Sequence, residues 1–105
     1  MAKHMLLVFT NAAEGKDDEF NRWYNDVHLG DVLSVDGFVA AQRFDLKAMD
    51  GPDSPHRYLA LYEVETDDVD AVVERLGTAA GKMVISDAMA DASALVASPI
   101  TDRRT

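Results

Sequence analysis

Asp17-Asp18-Glu19-Phe20-Asn21-Arg22-Trp23-Tyr24-Asn25-Asp26-Val27-His28-Leu29-Gly30-Asp31 is the stretch that decides how this chain is read. Phe20, Trp23, Tyr24 and Val27 stand at i, i+3, i+4 and i+7, which predicts an amphipathic helix with these four on its buried face. Three acids open the helix, where the macrodipole favours negative charge. His28 follows beside the apolar face near the C-terminal end, and Gly30 is the expected stop. An ionisable ring at the edge of a core is where a small domain can keep its chemistry.

Upstream, residues 4–10 are nearly all apolar and read as a strand buried on both faces, and Asn11 to Gly15 turn the chain into the helix. Downstream, Val35-Asp36-Gly37 signals a turn into a second strand, 38–47. Alternation places Phe38, Ala40, Gln42, Phe44 and Leu46 on one face, with Gln42 in need of a hydrogen-bond partner there. Val39, Ala41, Arg43, Asp45 and Lys47 take the other. Met49 to Pro55, with Asp50-Gly51-Pro52 inside it, is a loop. Residues 57–65 form a third strand, with Tyr58, Ala60, Tyr62 and Val64 opposite Leu59, Leu61, Glu63 and Glu65. The two strands are expected to make a hairpin whose mostly apolar faces are covered by helices.

Thr66 is the expected cap of a second helix, in which Val69, Val72, Val73 and Leu76 repeat the helical spacing before Gly77 ends it. Residues 78–91 are small and mixed and leave two readings open, a short helix or an irregular crossing. Ser93 to Ser98 reads as a last strand closed by Pro99. The order βαββαβ, without repeats or a linker, is the α+β ferredoxin-like arrangement in one domain over 1–105, with a flexible tail from about residue 100.

Composition narrows the roles. The formal charge is −9 and the basic residues are scattered, so the basic face that nucleic acid or an anionic membrane requires is not expected. The apolar runs are too short to span a bilayer, and the start of the chain lacks a signal-peptide core. With no cysteine there is no disulfide, thiolate nucleophile or Cys-bound metal, and a cytoplasmic setting is the simplest reading. No spacing of His, Asp and Glu suggests a metal site, and no glycine-rich phosphate loop suggests a nucleotide, so the expected cofactor and metal are none. At 105 residues a single core is modest, and pairing with a second copy would extend it.

The segment Phe20-Asn21-Arg22-Trp23-Tyr24-Asn25-Asp26-Val27-His28, followed by Gly37-Phe38, resembles the dimeric α/β-barrel superfamily, in particular its EthD-like branch. That resemblance implies a ferredoxin-like protomer whose open sheet face packs on a partner's sheet, hence a homodimer. Many relatives carry a proline two positions after the histidine, where this chain has Gly30, which loosens the exit from the helix. The superfamily includes metal- and flavin-free monooxygenases, polyketide cyclases, lactone isomerases and proteins without known activity. In some members the histidine at this position moves protons, which by resemblance falls to His28.

Four residues are therefore candidates. His28 titrates near neutrality and suits a general acid/base, against the plainer role of capping helix-end carbonyls or bonding Asp31. Arg43, expected on the face looking into the barrel, either pairs with Glu63 or holds a carboxylate or phenolate ligand. Tyr24 and Tyr62 either line an aromatic pocket or simply fill the core, and Trp23 is expected to pack. His4 and His56 are read as incidental. The expectation is acid/base chemistry on a small cyclic or aromatic organic molecule; the alternative is a barrel that binds a small ligand, or stabilises a partner, without catalysis.

Overall fold

The acids of the first turn and the apolar spacing behind them do form a helix, but not a uniform one. The computed structural model describes residues 2–105. The chain runs through β1 (Lys3–Ala12), α1 (Asp17–Trp23), a π-helical turn (Tyr24–His28), α2 (Leu29–Leu33), β2 (Phe38–Asp45), β3 (Tyr58–Glu65), α3 (Val69–Ala80) and β4 (Met89–Ala97). The strands form one antiparallel sheet in the order β2-β3-β1-β4, the α+β ferredoxin-like βαββαβ topology. The helices lie on one face of it, and the protein is only 19 Å thick. That is the depth of two layers, so among the described residues nothing lies over the other sheet face.

The helical segment corrects the sequence reading at two points. It continues through Gly30 to Leu33, because a helical glycine costs only about 1 kcal/mol and Val32 and Val35 gain burial beyond it. The π-helical turn also inserts one residue into the apolar spacing. Phe20 and Tyr24 are buried as expected, but Val27 is pushed outward to 42% exposure, and the ring of His28 packs against Trp23 and Tyr24.

Strand β2 carries a second one-residue insertion. Phe38 pairs with Val64, but Ala40 pairs with Glu63, so Val39 bulges out and the alternation flips behind it. Ala41, Arg43 and Asp45 consequently share the helix-covered face with Tyr62, Ala60 and Tyr58. Ala40, Gln42 and Phe44 fall on the open face, where Gln42 is exposed and needs no buried partner. The expected Arg43–Glu63 pair does not form, since the two side chains lie on opposite faces; Glu63 meets Lys3 at 3.5 Å instead.

Asp68, rather than Thr66, caps α3 by accepting the Ala71 N–H, while Thr66 makes a local turn bond with Asp68. The helix runs past Gly77 to Ala80. Residues 78–91 resolve into its last turn, a short crossing and the start of β4, which begins earlier than the predicted Ser93.

Gly37 lets α3 seat on the beginning of β2. Its φ is +107°, and a Cβ there would lie 2.9 Å from Val72 Cγ2, a stiff β-branched side chain that is itself buried. Gly37→Ala should therefore lower the stability by about 1–3 kcal/mol, through backbone strain and overpacking together. Urea denaturation of the two proteins measures this, and an unchanged midpoint would contradict the seating of α3.

Candidate active site

The π-helical turn and the β2 bulge together assemble the four predicted residues around one ring, that of Tyr24. The turn directs Tyr24 down onto the sheet, where its hydroxyl lies 3.0 Å from that of Tyr62 in a fully buried pair. The bulge brings Arg43 to the same layer, its Cζ 4.4 Å from the Tyr24 ring centroid. His28 meets the same ring edge-on at 4.8 Å, and its own ring stacks on Trp23 at 4.7 Å and 22°. The Trp23 indole N–H donates to the Val84 carbonyl at 3.1 Å, which fixes the indole and, through the stack, the imidazole plane.

His28 takes neither of its plainer roles. Its Nδ1 is buried and has no hydrogen-bond partner among the described residues, so it neither bonds Asp31 nor caps a helix-end carbonyl. Burial pushes its pKa below the usual 6.5, with the Asp31 carboxylate opposing in part. The ring is thus held neutral at neutral pH, the form that accepts a proton. Burial raises Tyr24 and Tyr62 above the usual phenol value, and the Tyr62 rise is reinforced by Tyr24; both keep their protons. Two hydroxyls that share one hydrogen bond leave one O–H free to donate elsewhere.

The lowered His28 pKa has a consequence for stability. Between about pH 6.5 and the lower folded value the unfolded chain binds more protons than the folded one, so stability falls as the pH drops through that window. Urea midpoints at pH 7.5, 6.5 and 5.5 should decline more steeply for the native protein than for His28→Gln. Parallel slopes would show that His28 is not desolvated.

Sequence reasoning did not single out the residues that hold Arg43. Asn25 Oδ1 accepts from one terminal nitrogen at 2.7 Å and Asn21 Oδ1 from the other at 2.9 Å. Two asparagines at i and i+4, one helical turn apart, were the available signal. Asn21 in turn contacts the Tyr58 hydroxyl at 3.4 Å, which donates to Asp17. His4 and His56 stand apart from this cluster, on Ser98 and Asp91 respectively.

A groove of about 880 Å³ opens between the α1–α2 segment and α3. Val27 and Asp31, which flank His28 in the chain, line one wall, and Ala79, Met83 and Val84 line another. The His28 ring is set behind this wall rather than in it. A groove of that size accommodates a small organic molecule. Among the described residues no three His, Asp or Glu side chains are grouped to hold a metal ion. Nor, among the described residues, is any helix long and apolar enough to cross a membrane.

No family model matches the sequence, and no curated protein does. Solved structures do match over nearly the whole chain. An MhuD variant with two manganese protoporphyrin IX groups per active site superposes with a TM-score of 0.63 at 18% identity, covering 97% of this chain and 99% of that one. An EthD-family protein of Bacillus halodurans gives 0.54 at 13% identity, with 95% and 100% covered. A Streptomyces coelicolor monooxygenase in complex with nanaomycin D gives 0.50 at 13% identity, with 99% and 92% covered.

Proposed function

We propose, for a chain with the protomer fold of the dimeric α/β-barrel proteins, EthD-like structures among them, that it works as a small cytoplasmic homodimeric enzyme. Its reaction is cofactor-independent acid/base chemistry on a small cyclic or aromatic organic molecule. The observation that carries this reading is the buried, unpartnered Nδ1 of a histidine that burial holds neutral on a π-helical turn. Such turns recur at functional sites, and an unpaired buried nitrogen has a cost that a structural role does not explain.

Proton abstraction next to a carbonyl or phenol needs a base, a donor for the oxygen that gains charge, and a surface for the ring. His28 supplies the base. The spare O–H of the Tyr24–Tyr62 pair supplies the donor, with Arg43 behind it, and Trp23 supplies an aromatic surface. Isomerisation, cyclisation and cofactor-free oxygenation can all begin with that step, and the scaffold does not choose among them. The similar structures bind organic ligands, nanaomycin D in one case and a manganese porphyrin in another, which supports an organic substrate here.

The exposed surface supports homodimerisation. The described residues expose 7134 Å², whereas a monomer of this mass exposes about 5,800 Å². The excess, on the order of 1,300 Å², includes the open sheet face, where Leu7, Leu61, Phe44 and Leu95 stand without cover. A second reading, a barrel that binds its ligand without turning it over, is favoured by one fact: the imidazole lies behind the groove wall.

The test is hydrogen exchange in D₂O, followed by proton NMR, for a panel of cyclic ketones, lactones and hydroxyquinones. Catalysed exchange should rise with pH through a midpoint below 6.5 and level off by neutrality. Binding without exchange at any pH would favour the non-catalytic barrel.

A further inference from the structure

Arg43 is a cation without a counter-ion. Arg57 pairs with Asp17 and Asp45, and Arg75 pairs with Asp36, yet Arg43 meets no carboxylate among the described residues. It sits on the faces of Tyr24, Phe20 and Tyr58, and its two bonds go to neutral amide oxygens. Among the described residues Arg22, Arg103 and Arg104 also meet no carboxylate, but they are exposed to water; in a chain with 19 acidic residues Arg43 is the half-buried guanidinium left unneutralised. The nearest acid along its hydrogen-bond network is Asp17, reached only through Asn21 and Tyr58.

The hydrogen count sharpens the point. A guanidinium carries five N–H groups, of which the asparagines take two. Nε–H is buried and has no partner among the described residues. Together with a second hydrogen on the neighbouring terminal nitrogen it forms the side-on fork that carboxylates and other paired oxygens accept. Asn25 is exposed, so its bond to Arg43 lies at the solvent rim of the layer between α1 and β2. Arg43 and His28 both touch the Tyr24 ring, from 4.4 Å and 4.8 Å.

From this we infer that the substrate class of the site is anionic: an aromatic or cyclic molecule bearing a carboxylate, or an equivalent pair of charged oxygens, that Arg43 binds side-on. The inference rests on the acid/base reading of the same site and gives that reading its substrate class. It also explains why the arginine is held by amides. Asn21 and Asn25 orient the guanidinium without cancelling its charge, whereas a carboxylate in their place would do both.

The probes are 2-naphthoate and its neutral counterpart 2-naphthamide, titrated by calorimetry against the full chain. The native protein should bind the carboxylate roughly 10- to 100-fold more tightly than the amide, the value of one charge-assisted contact. Arg43→Gln should erase the preference, and Arg43→Lys, which keeps the charge but loses the fork, should retain only part of it. Should either variant misfold, the native protein still decides: naphthoate, and not naphthamide, should shift the Arg43 Nε–H resonance and raise the melting temperature. Equal affinities, or binding of neither probe, would overturn the inference. His28→Asn should keep the preference, so a failed acid/base mechanism and a failed anion site give different results.

Discussion

Replacing His28 by asparagine is expected to lower the rate of the catalysed proton transfer by about 10² to 10⁴ while leaving the fold and the ligand affinity in place. The size follows from removing one positioned base and keeping everything else. The Tyr24–Tyr62 donor and the Arg43 guanidinium do not depend on the imidazole, since His28 Nδ1 bonds to neither. The substitution costs the ring's stacking on Trp23 and breaks no hydrogen bond of Nδ1, which makes none. Single-turnover kinetics on a substrate from the exchange screen measures the loss. A variant with native turnover would move the chemistry off His28 and leave the protein a binding barrel.

The second large effect concerns assembly. Leu61 lies at the middle of the open sheet face, across from Leu7 in β1 and Gln42 in β2, and Leu7 is in turn opposite Leu95. If a second copy covers this face, Leu61→Glu buries a carboxylate in an apolar contact, and two-fold symmetry buries it twice. Dimer dissociation constants should rise a thousandfold or more, on the order of several kcal/mol. Sedimentation equilibrium at micromolar concentration decides it. The native chain should sediment as a dimer and the variant as a monomer with an unchanged circular dichroism spectrum. A monomeric native chain would contradict the dimer.

Much of the fold was legible because hydrophobic spacing survives wherever elements are regular. Tyr58, Ala60, Tyr62 and Val64 alternate without interruption and all four face the helices as expected. The two errors that mattered were single-residue insertions. The bulge at Val39 reversed the expected side of Arg43, and the π-helical turn exchanged Val27 for His28 against the aromatic rings. Neither insertion has a compositional signature, because each is set by which neighbours gain burial and not by local propensity. The helix limits failed for a related reason. Gly30 and Gly77 are weak stops when apolar residues beyond them find a core, and Asp68 outcompeted Thr66 because its side chain reaches the Ala71 N–H. The candidate residues themselves were readable as types. Their meeting around Tyr24 was not, since it depends on both insertions at once.

The measurement that bears most directly on His28 as a neutral base is a ¹⁵N NMR titration of its imidazole, with and without 2-naphthoate. Burial should set the midpoint below 6.5 in the free protein, and the ring resonance should move when the ligand binds. A midpoint at or above 6.5, or a resonance indifferent to the ligand, would contradict this role of His28.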